Sequence, residues 1–208
     1  MASNAAVTPN KRGARSRQVV LDAAERVIAV HGYAAASLAS IVEEAGIPMS
    51  SVYHYFGSKE GVLLAVMERG AERFYAALPE LTERAGTSEE HLETLISLLV
   101  KELEQHSGFL RLVIMMEVQP PIDTASEVQA VVRRMRDEAL RRLREQFAIA
   151  FDIPARGAVA TRLAQFTLAS FDGAFVATQG DRRVTLGHLL RYLPVALAAM
   201  REAIEAAR

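Results

Sequence analysis

Between Ser50 and Lys59 the chain gathers side chains that hydrogen-bond to anions: Ser50, Ser51, Tyr53, His54, Tyr55 and Lys59. Val52 and Phe56 lie one helical turn apart, so on a helix both face inward with Ile41 and Val27. Ser51, Tyr53, His54 and Tyr55 are then left partly exposed. Three consecutive ring side chains make a poor core on so short a helix. They make a good surface for lying along a nucleic-acid groove and donating to phosphates. The competing reading packs Tyr53 and Tyr55 against the helix that follows. His54 is expected at the surface or as a capping residue, since no second histidine stands at metal-ligand spacing.

Lys59 is one of three lysines, with Lys11 and Lys101, among 24 basic residues. It falls in the first turn of a helix, where the macrodipole favours an acid. A lysine beside helix N-terminal amides suits a phosphate oxygen instead. Ser37, at the start of an earlier helix, can both cap that helix and reach a phosphate.

Composition removes most other chemistry. The chain has no cysteine, which excludes disulfides, thiolate-ligated metals and a cysteine nucleophile. There is no phosphate loop, no His-Glu-x-x-His and no nucleophile turn, and the histidines at 31, 54, 91, 106 and 188 show no ligand spacing. An enzyme, a resident cofactor and a metal site are therefore not expected. An all-helical enzyme with an apolar pocket, and a helical dimer working only through protein contacts, remain as alternatives. With a formal net charge of -1, any nucleic-acid surface must be local. No apolar run approaches the roughly 18 residues of a membrane span, and the N-terminus lacks a signal-peptide core. The expectation is a cytoplasmic protein with no membrane partner. A length of 208 residues, 50% hydrophobic and 24% charged, fits one domain or a small one fused to a larger one.

The elements that must position these residues are all helical, with no alternating strand pattern anywhere. Residues 1–14 read as a disordered arm with Lys11 and Arg12, continued by Arg15 and Arg17 at its edge: either a solvated tail or an arm for a nucleic-acid backbone. Arg17 to His31 is an amphipathic helix ended by Gly32, and Ser37 to Ala45 a second, ended by Gly46. Ile47-Pro48 makes a corner before a third helix over Met49 to Phe56. Helix, short glycine turn, helix is the helix-turn-helix arrangement. Further helices are expected from Lys59 to about Arg84, with Pro79 near its end, and from the Thr87 capping signal to about Gln105. Others run from Ser107 to Val118, from Ser126 to Phe151 and from Pro154 to Gln179. A last one carries Leu186 to Ile204, with a kink at Pro194. The total is about nine helices.

The stretch Gly32-Tyr33, Ser37, Ile41, Ala45-Gly46-Ile47, Ser50 to Glu60 and Leu63 closely resembles the DNA-binding domain of the tetracycline-repressor (TetR) family. The Tyr-x-Tyr-Phe-x-x-Lys-x-x-x-Leu run after a helix-turn-helix is its most specific part. The resemblance implies an all-α fold. It places an arm over 1–14, a three-helix DNA-binding domain over 15–58, and a ligand-binding and dimerisation domain over 59–208. It implies a ligand-responsive repressor that binds a pseudo-palindromic double-stranded operator as a homodimer and is released by a small, largely apolar effector. The DNA contacts it suggests are Arg15, Arg17, Ser37, Ser50, Ser51, Tyr53, His54, Tyr55 and Lys59. For the effector it suggests Met67, Phe74, Phe109, Met115, Met116, Glu117, Phe171 and Phe175, with Asp172 as a further polar candidate. The many small residues between Pro154 and Gln179, with the leucine-rich last helix, resemble the family's dimer interface: Ala164, Ser170, Gly173, Ala174, Ala177, Leu189, Leu193 and Leu197. Two positions depart from the pattern. Pro48 stands where a capping Ser or Thr is common, and Ala36 where a Thr is common. The arginine cluster at 133, 134, 136, 141, 142 and 144 is interrupted by Asp137, Glu138 and Glu145 and reads as a solvated helix face.

Overall fold

The computed structural model describes residues 9–84, 86–118, 126–181 and 183–207, with side chains from residue 13 onward. Ten helices and no strand occur among them: α1 (Pro9–Ala35), α2 (Leu38–Ala45), α3 (Met49–Phe56), α4 (Lys59–Ala77), α5 (Ser88–Gln105), α6 (Ser107–Val118), α7 (Ser126–Phe151), α8 (Ala158–Gly180), α9 (Leu186–Leu190) and α10 (Leu193–Ala206). They divide into two compact units, Met1–Glu72 with Gly108–Val132, and Arg73–Ser107 with Arg133–Arg208. The division falls within α4, so its opening turns belong with the three N-terminal helices.

Several helix ends differ from the sequence expectation, each for a local reason. α1 already runs from Pro9; proline suits a first helical position, and Lys, Arg and Ala are good helix formers. Residues 9–14 are therefore helical rather than a disordered arm. Residues 1–8 and the side chains of Lys11 and Arg12 lie outside the described residues, as do Pro120 and Pro121. α4 ends at Ala77, because the residue before Pro79 is pushed out of helical geometry. α8 begins only after a turn in which Gly157 N–H bonds the Pro154 carbonyl at 2.8 Å. The expected kinked last helix is two helices: Pro194 sits in the first turn of α10 instead of inside a longer run. There the missing amide hydrogen costs nothing, because a first-turn N–H has no intrahelical acceptor.

In the first unit, Val20, Leu21, Ile41, Val52, Val62 and Leu63 form a closed core. Arg69 of α4, almost wholly buried, fastens α4 to α1: its guanidinium donates to Gln18 at 2.9 Å and Asp22 at 2.8 Å, and approaches Glu25 at 2.8 Å. The carboxylates supply the charge that so buried a cation needs. Next to it, Gly70 lies under the Phe109 ring of α6 so closely that a methyl group would overlap the ring.

The second unit is built on α5, α8, α9 and α10, with Leu92, Leu95, Leu163 and Leu197 fully covered. α7 is tied in at several points. Phe147 and Phe151 stack, with the Arg201 guanidinium over Phe151. The Tyr75 hydroxyl donates to the Met135 carbonyl, and burial pushes that phenol up to about 12. The Ser88 hydroxyl and Arg84 both donate to the Ala150 carbonyl, at 2.6 and 3.2 Å. The arginine cluster of α7 is largely paired: Arg141 with Glu138 and Glu145, Arg142 with Glu138, and Arg136 with Asp172.

Candidate nucleic-acid interface

The corner between α2 and α3 is set by local chemistry. Ser37 caps α2 in a reciprocal box: its hydroxyl accepts from Ser40 N–H at 3.0 Å, while the Ser40 hydroxyl accepts from Ser37 N–H at 3.0 Å. α2 ends at Gly46 with φ 61°, and its N–H returns to the Val42 carbonyl at 2.9 Å. That left-handed conformation is what reverses the chain within so few residues, and it favours glycine. Pro48 then opens α3 with no side-chain cap. The first-turn amides of α3 consequently meet no side-chain acceptor from the cap, and Ser51 N–H turns to the Pro48 carbonyl at 2.9 Å.

Val52 is fully buried, and it turns α3 so that the rest of the helix is available. Ser50, Tyr53 and His54 are exposed and Ser51 and Tyr55 half-buried; Tyr53 is 53% exposed. The side chains of Ser50, Ser51 and Tyr53 find no hydrogen-bond partner among the described residues. His54 and Tyr55 meet edge to face, with ring centroids 5.4 Å apart. Tyr53 does not pack as core. Tyr55 is intermediate, its hydroxyl lying 3.6 Å from where a methyl group on Gly13 would be.

Arg15 is exposed on α1. Arg17 is held, its guanidinium 5.3 Å from the Phe56 ring centroid, so the basic segment and α3 share a contact. At the other end of α3, Lys59 opens α4 with its Nζ 4.4 Å from the Tyr33 ring centroid and donating to the Ala34 carbonyl at 3.3 Å. Beside it Glu60 is held below the ordinary carboxylate range, first by its own backbone N–H, then by the Ser58 hydroxyl, with smaller help from Lys59 and Tyr33. Ser50, Ser51, Tyr53, His54 and Tyr55 thus lie together on α3, and Lys59 stands at the start of the next helix.

Residues 20–66 match the family model described as "Bacterial regulatory proteins, tetR family". Those residues carry a tetR-family domain. It is similar to the HTH-type transcriptional repressor AcnR of Corynebacterium glutamicum, 32% identical over 74 residues, which is 36% of this chain and 39% of that protein. It is also similar to the fatty acid metabolism regulator protein of Bacillus subtilis, 31% identical over 78 residues, 38% of this chain and 40% of that protein. The matched segments thus span about two fifths of these curated relatives. A tetR-family transcriptional regulator from Streptomyces coelicolor shares the fold with a TM-score of 0.73 at 20% identity, covering 93% of this chain and 83% of that one.

Away from the α3 surface, the structure sorts the remaining candidates less kindly. The expected effector-lining residues divide between the units. Met67, Phe109, Met115, Met116 and Glu117 fall in the first, and Phe74, Phe171 and Phe175 in the second. Met67 is fully buried, whereas Met115 and Glu117 are exposed. Asp172 forms an ion pair with Arg136 at 2.9 Å. Thr167, unnoticed in the sequence, is wholly buried with a hydroxyl that has no partner among the described residues.

The dimer candidates need correction. Ala164, Ala174, Leu193 and Leu197 are 0%, 8%, 6% and 0% exposed; their own chain already covers them, so they have no surface left for a partner. Ser170 is half-buried, with its hydroxyl donating to the Phe166 carbonyl. Gly173, Ala177 and Leu189 are exposed. The apolar side chains that lie open are instead Phe166 and Val176 on α8, with Leu189, Tyr192 and Val195 beyond it. Phe166, Ala169, Gly173 and Val176 recur at three- and four-residue steps along one face of α8, a periodicity present in the sequence but masked by the equally apolar opposite face. Among the described residues no cluster of acidic or imidazole groups can hold a metal, and no helix is long and apolar enough to cross a membrane.

Proposed function

We propose that this protein is a DNA-binding transcriptional repressor that works as a homodimer and leaves its operator when a small, largely apolar effector binds. The observation that carries the reading is the α3 surface: exposed hydroxyls and rings with unmet hydrogen-bonding capacity, uncapped helix amides, and a lysine at the adjoining helix start. Phosphate contacts from Lys59, Ser37, Arg15 and Arg17 fix register, while Ser50, Ser51, Tyr53, His54 and Tyr55 meet the groove. The names of the curated relatives, two bacterial regulators, support the same reading.

The exposed apolar stripe on α8, with Leu189, Tyr192 and Val195, supports association of two copies. Two recognition helices then read half-sites about one helical turn apart, or a multiple of it. For the effector, the second unit offers buried Phe74, Phe171 and Phe175 and the unpartnered Thr167 hydroxyl. Mostly apolar lining with few polar groups suits a small apolar ligand. An effector that binds the DNA-free state more tightly weakens operator binding by the same factor, typically about 5–150-fold.

Selection of bound sequences from a randomised duplex pool, followed by a mobility shift over a salt series, tests the reading. A pseudo-palindromic winner whose affinity falls steeply with salt is expected. Enrichment of no sequence, with no binding to any duplex at low salt, would sink it.

A further inference from the structure

The Lys59 ammonium is already engaged in the free protein. Its Nζ sits over the Tyr33 ring, 4.4 Å from the centroid, and donates to the Ala34 carbonyl at 3.3 Å. Both partners come from one short stretch just after Gly32, whose φ of 75° breaks the helical path of α1. Tyr33 is buried, so its ring is a fixed platform rather than a mobile flap. Its hydroxyl also interacts with Glu60, the acid next to Lys59 in the sequence. One tyrosine therefore meets a cation with its face and the neighbouring anion with its edge.

We propose that Tyr33 is the positioning residue for Lys59, holding the ammonium at the DNA-facing start of α4 before DNA arrives. The inference rests on the reading of Lys59 as a phosphate contact. A lysine side chain free in water surrenders most of its rotamer freedom when it is fixed on a ligand. Here that loss occurs on folding, so less of it opposes binding. The attraction is that of a cation for the negative face of an aromatic ring. It leaves donors unused: an ammonium has three N–H groups, and the Ala34 carbonyl takes one. A phosphate oxygen can then be met from above while the ring stays beneath.

The role separates Tyr33 from Lys59 in what each change does to binding. Removing Lys59 removes a phosphate contact and with it part of the salt dependence. Removing the ring leaves the charge, which still reaches the phosphate, and raises only the cost of fixing it. Affinity falls in both cases, and the salt slope falls in one.

The test uses the full chain and a mixed-sequence DNA duplex, with affinity measured over a salt series for wild type, Lys59→Ala, Tyr33→Phe, Tyr33→Leu and the Lys59→Ala/Tyr33→Leu double variant. Tyr33→Phe keeps the ring face and should bind like wild type. Tyr33→Leu should lose about two- to fivefold with an unchanged salt slope, and Lys59→Ala should lower the slope by about one unit. The double variant should bind no more weakly than Lys59→Ala alone. Additive losses, or a Tyr33→Phe variant as weak as Tyr33→Leu, would mean that Tyr33 acts through the general stability of the domain, and the proposal falls.

A second measurement needs no DNA. The Lys59 ε-methylene protons, lying over a ring, should resonate upfield in wild type and Tyr33→Phe but not in Tyr33→Leu. An unshifted signal in wild type removes the geometric basis. Wild-type protein that binds no duplex at low salt, yet keeps the upfield signal, overturns the phosphate reading and takes the positioning role with it; the two failures are thereby told apart.

Discussion

The α3–α4 corner and the outer face of α8 are both exposed helix surfaces, and they are exposed for opposite reasons. At the corner, Ser50, Ser51 and Tyr53 carry hydrogen-bonding capacity that nothing in the described chain meets, and Pro48 leaves the α3 amides without a side-chain cap. On α8, Phe166 and Val176 turn apolar area to water, 43% and 54% exposed. The first kind of surface suits a charged, hydrated partner whose phosphates replace water at the same donors. The second gains only when apolar area is covered, and a run of such positions on one helix face marks an association surface more strongly than scattered ones. A helix surface thus declares its partner by what it leaves unsatisfied.

The sharpest way to break this comparison is to place the same charge on the two faces of α8. Ala174 is buried and Gly173, its neighbour, is open, with nothing near the position a side chain would take. Ala174→Arg buries an unpaired cation, which should destabilise the subunit by about 3–5 kcal/mol. Gly173→Arg should leave the subunit fold intact, even gaining helix propensity of up to about 1 kcal/mol, while abolishing association. Denaturant melts paired with sedimentation read both at once. A Gly173→Arg variant that still sediments as a dimer would free the α8 stripe from any role in association.

At the corner the largest effect comes from Gly61. A methyl group there would collide with the carbonyl of Phe56, the last residue of α3. Backbone cannot yield as a flexible side chain can, so Gly61→Ala should cost about 1–3 kcal/mol and shift α3 against α4. On the proposed reading DNA binding should fall further than stability alone explains, because the helix set in the groove would move. Equal affinity in a folded Gly61→Ala variant would detach the α3–α4 junction from recognition.

Smaller again is Lys59→Ala, which should weaken every duplex alike and lower the salt slope by about one unit. On the proposed reading, in which Ser51 and His54 meet the groove, changes at these residues should instead alter sequence preference. An unchanged slope for Lys59→Ala would remove the phosphate contact and leave the corner's polar surface without its cation.

The two regions also differ in how far they could be read before any coordinates. The corner was legible because its residues are chemically distinctive and fixed in spacing: Gly46 and Pro48 mark the turn, Val52 sets the inward face, and Tyr53 and Lys59 follow. What stayed hidden there was tertiary, namely that the Tyr33 ring lies under Lys59 across a long sequence separation. The α8 region was legible only as helix. Alanine and leucine look alike whether they face their own core or a partner, so Ala164, Ala174, Leu193 and Leu197 were assigned to a surface that their burial denies them. Pro194 carried a similar ambiguity, since proline marks either a kink or a start, and the break before it decides between them. Met67 and Met115 show the same limit: both are apolar side chains on helices, and only one is covered.

The smallest expected effect concerns pH and lies in the second unit, away from both surfaces. His91 is buried on α5 with its Nε2 lacking a partner among the described residues. Burial pushes its pKa below the ordinary 6.5, the nearby Arg84 charge pushes the same way, and the Gln146 side chain partly offsets them. The folded chain therefore binds this proton less readily than the unfolded chain. Stability linked to His91 is fully present above pH 6.5 and declines as the pH drops below it, toward the lowered folded value. His91→Leu keeps an apolar filling of the space and removes the titration. Its denaturation midpoint, followed from above pH 6.5 to below it, should fall less than that of wild type. The carboxylates elsewhere, Glu138 among them with its pKa lowered to about 2 by Arg141 and Arg142, titrate in both proteins and cancel in the difference. Parallel midpoint curves for the two proteins would show that His91 is not held neutral by burial. Operator affinity measured over the same range supplies the contrast with the corner: it should respond to salt and not to this histidine.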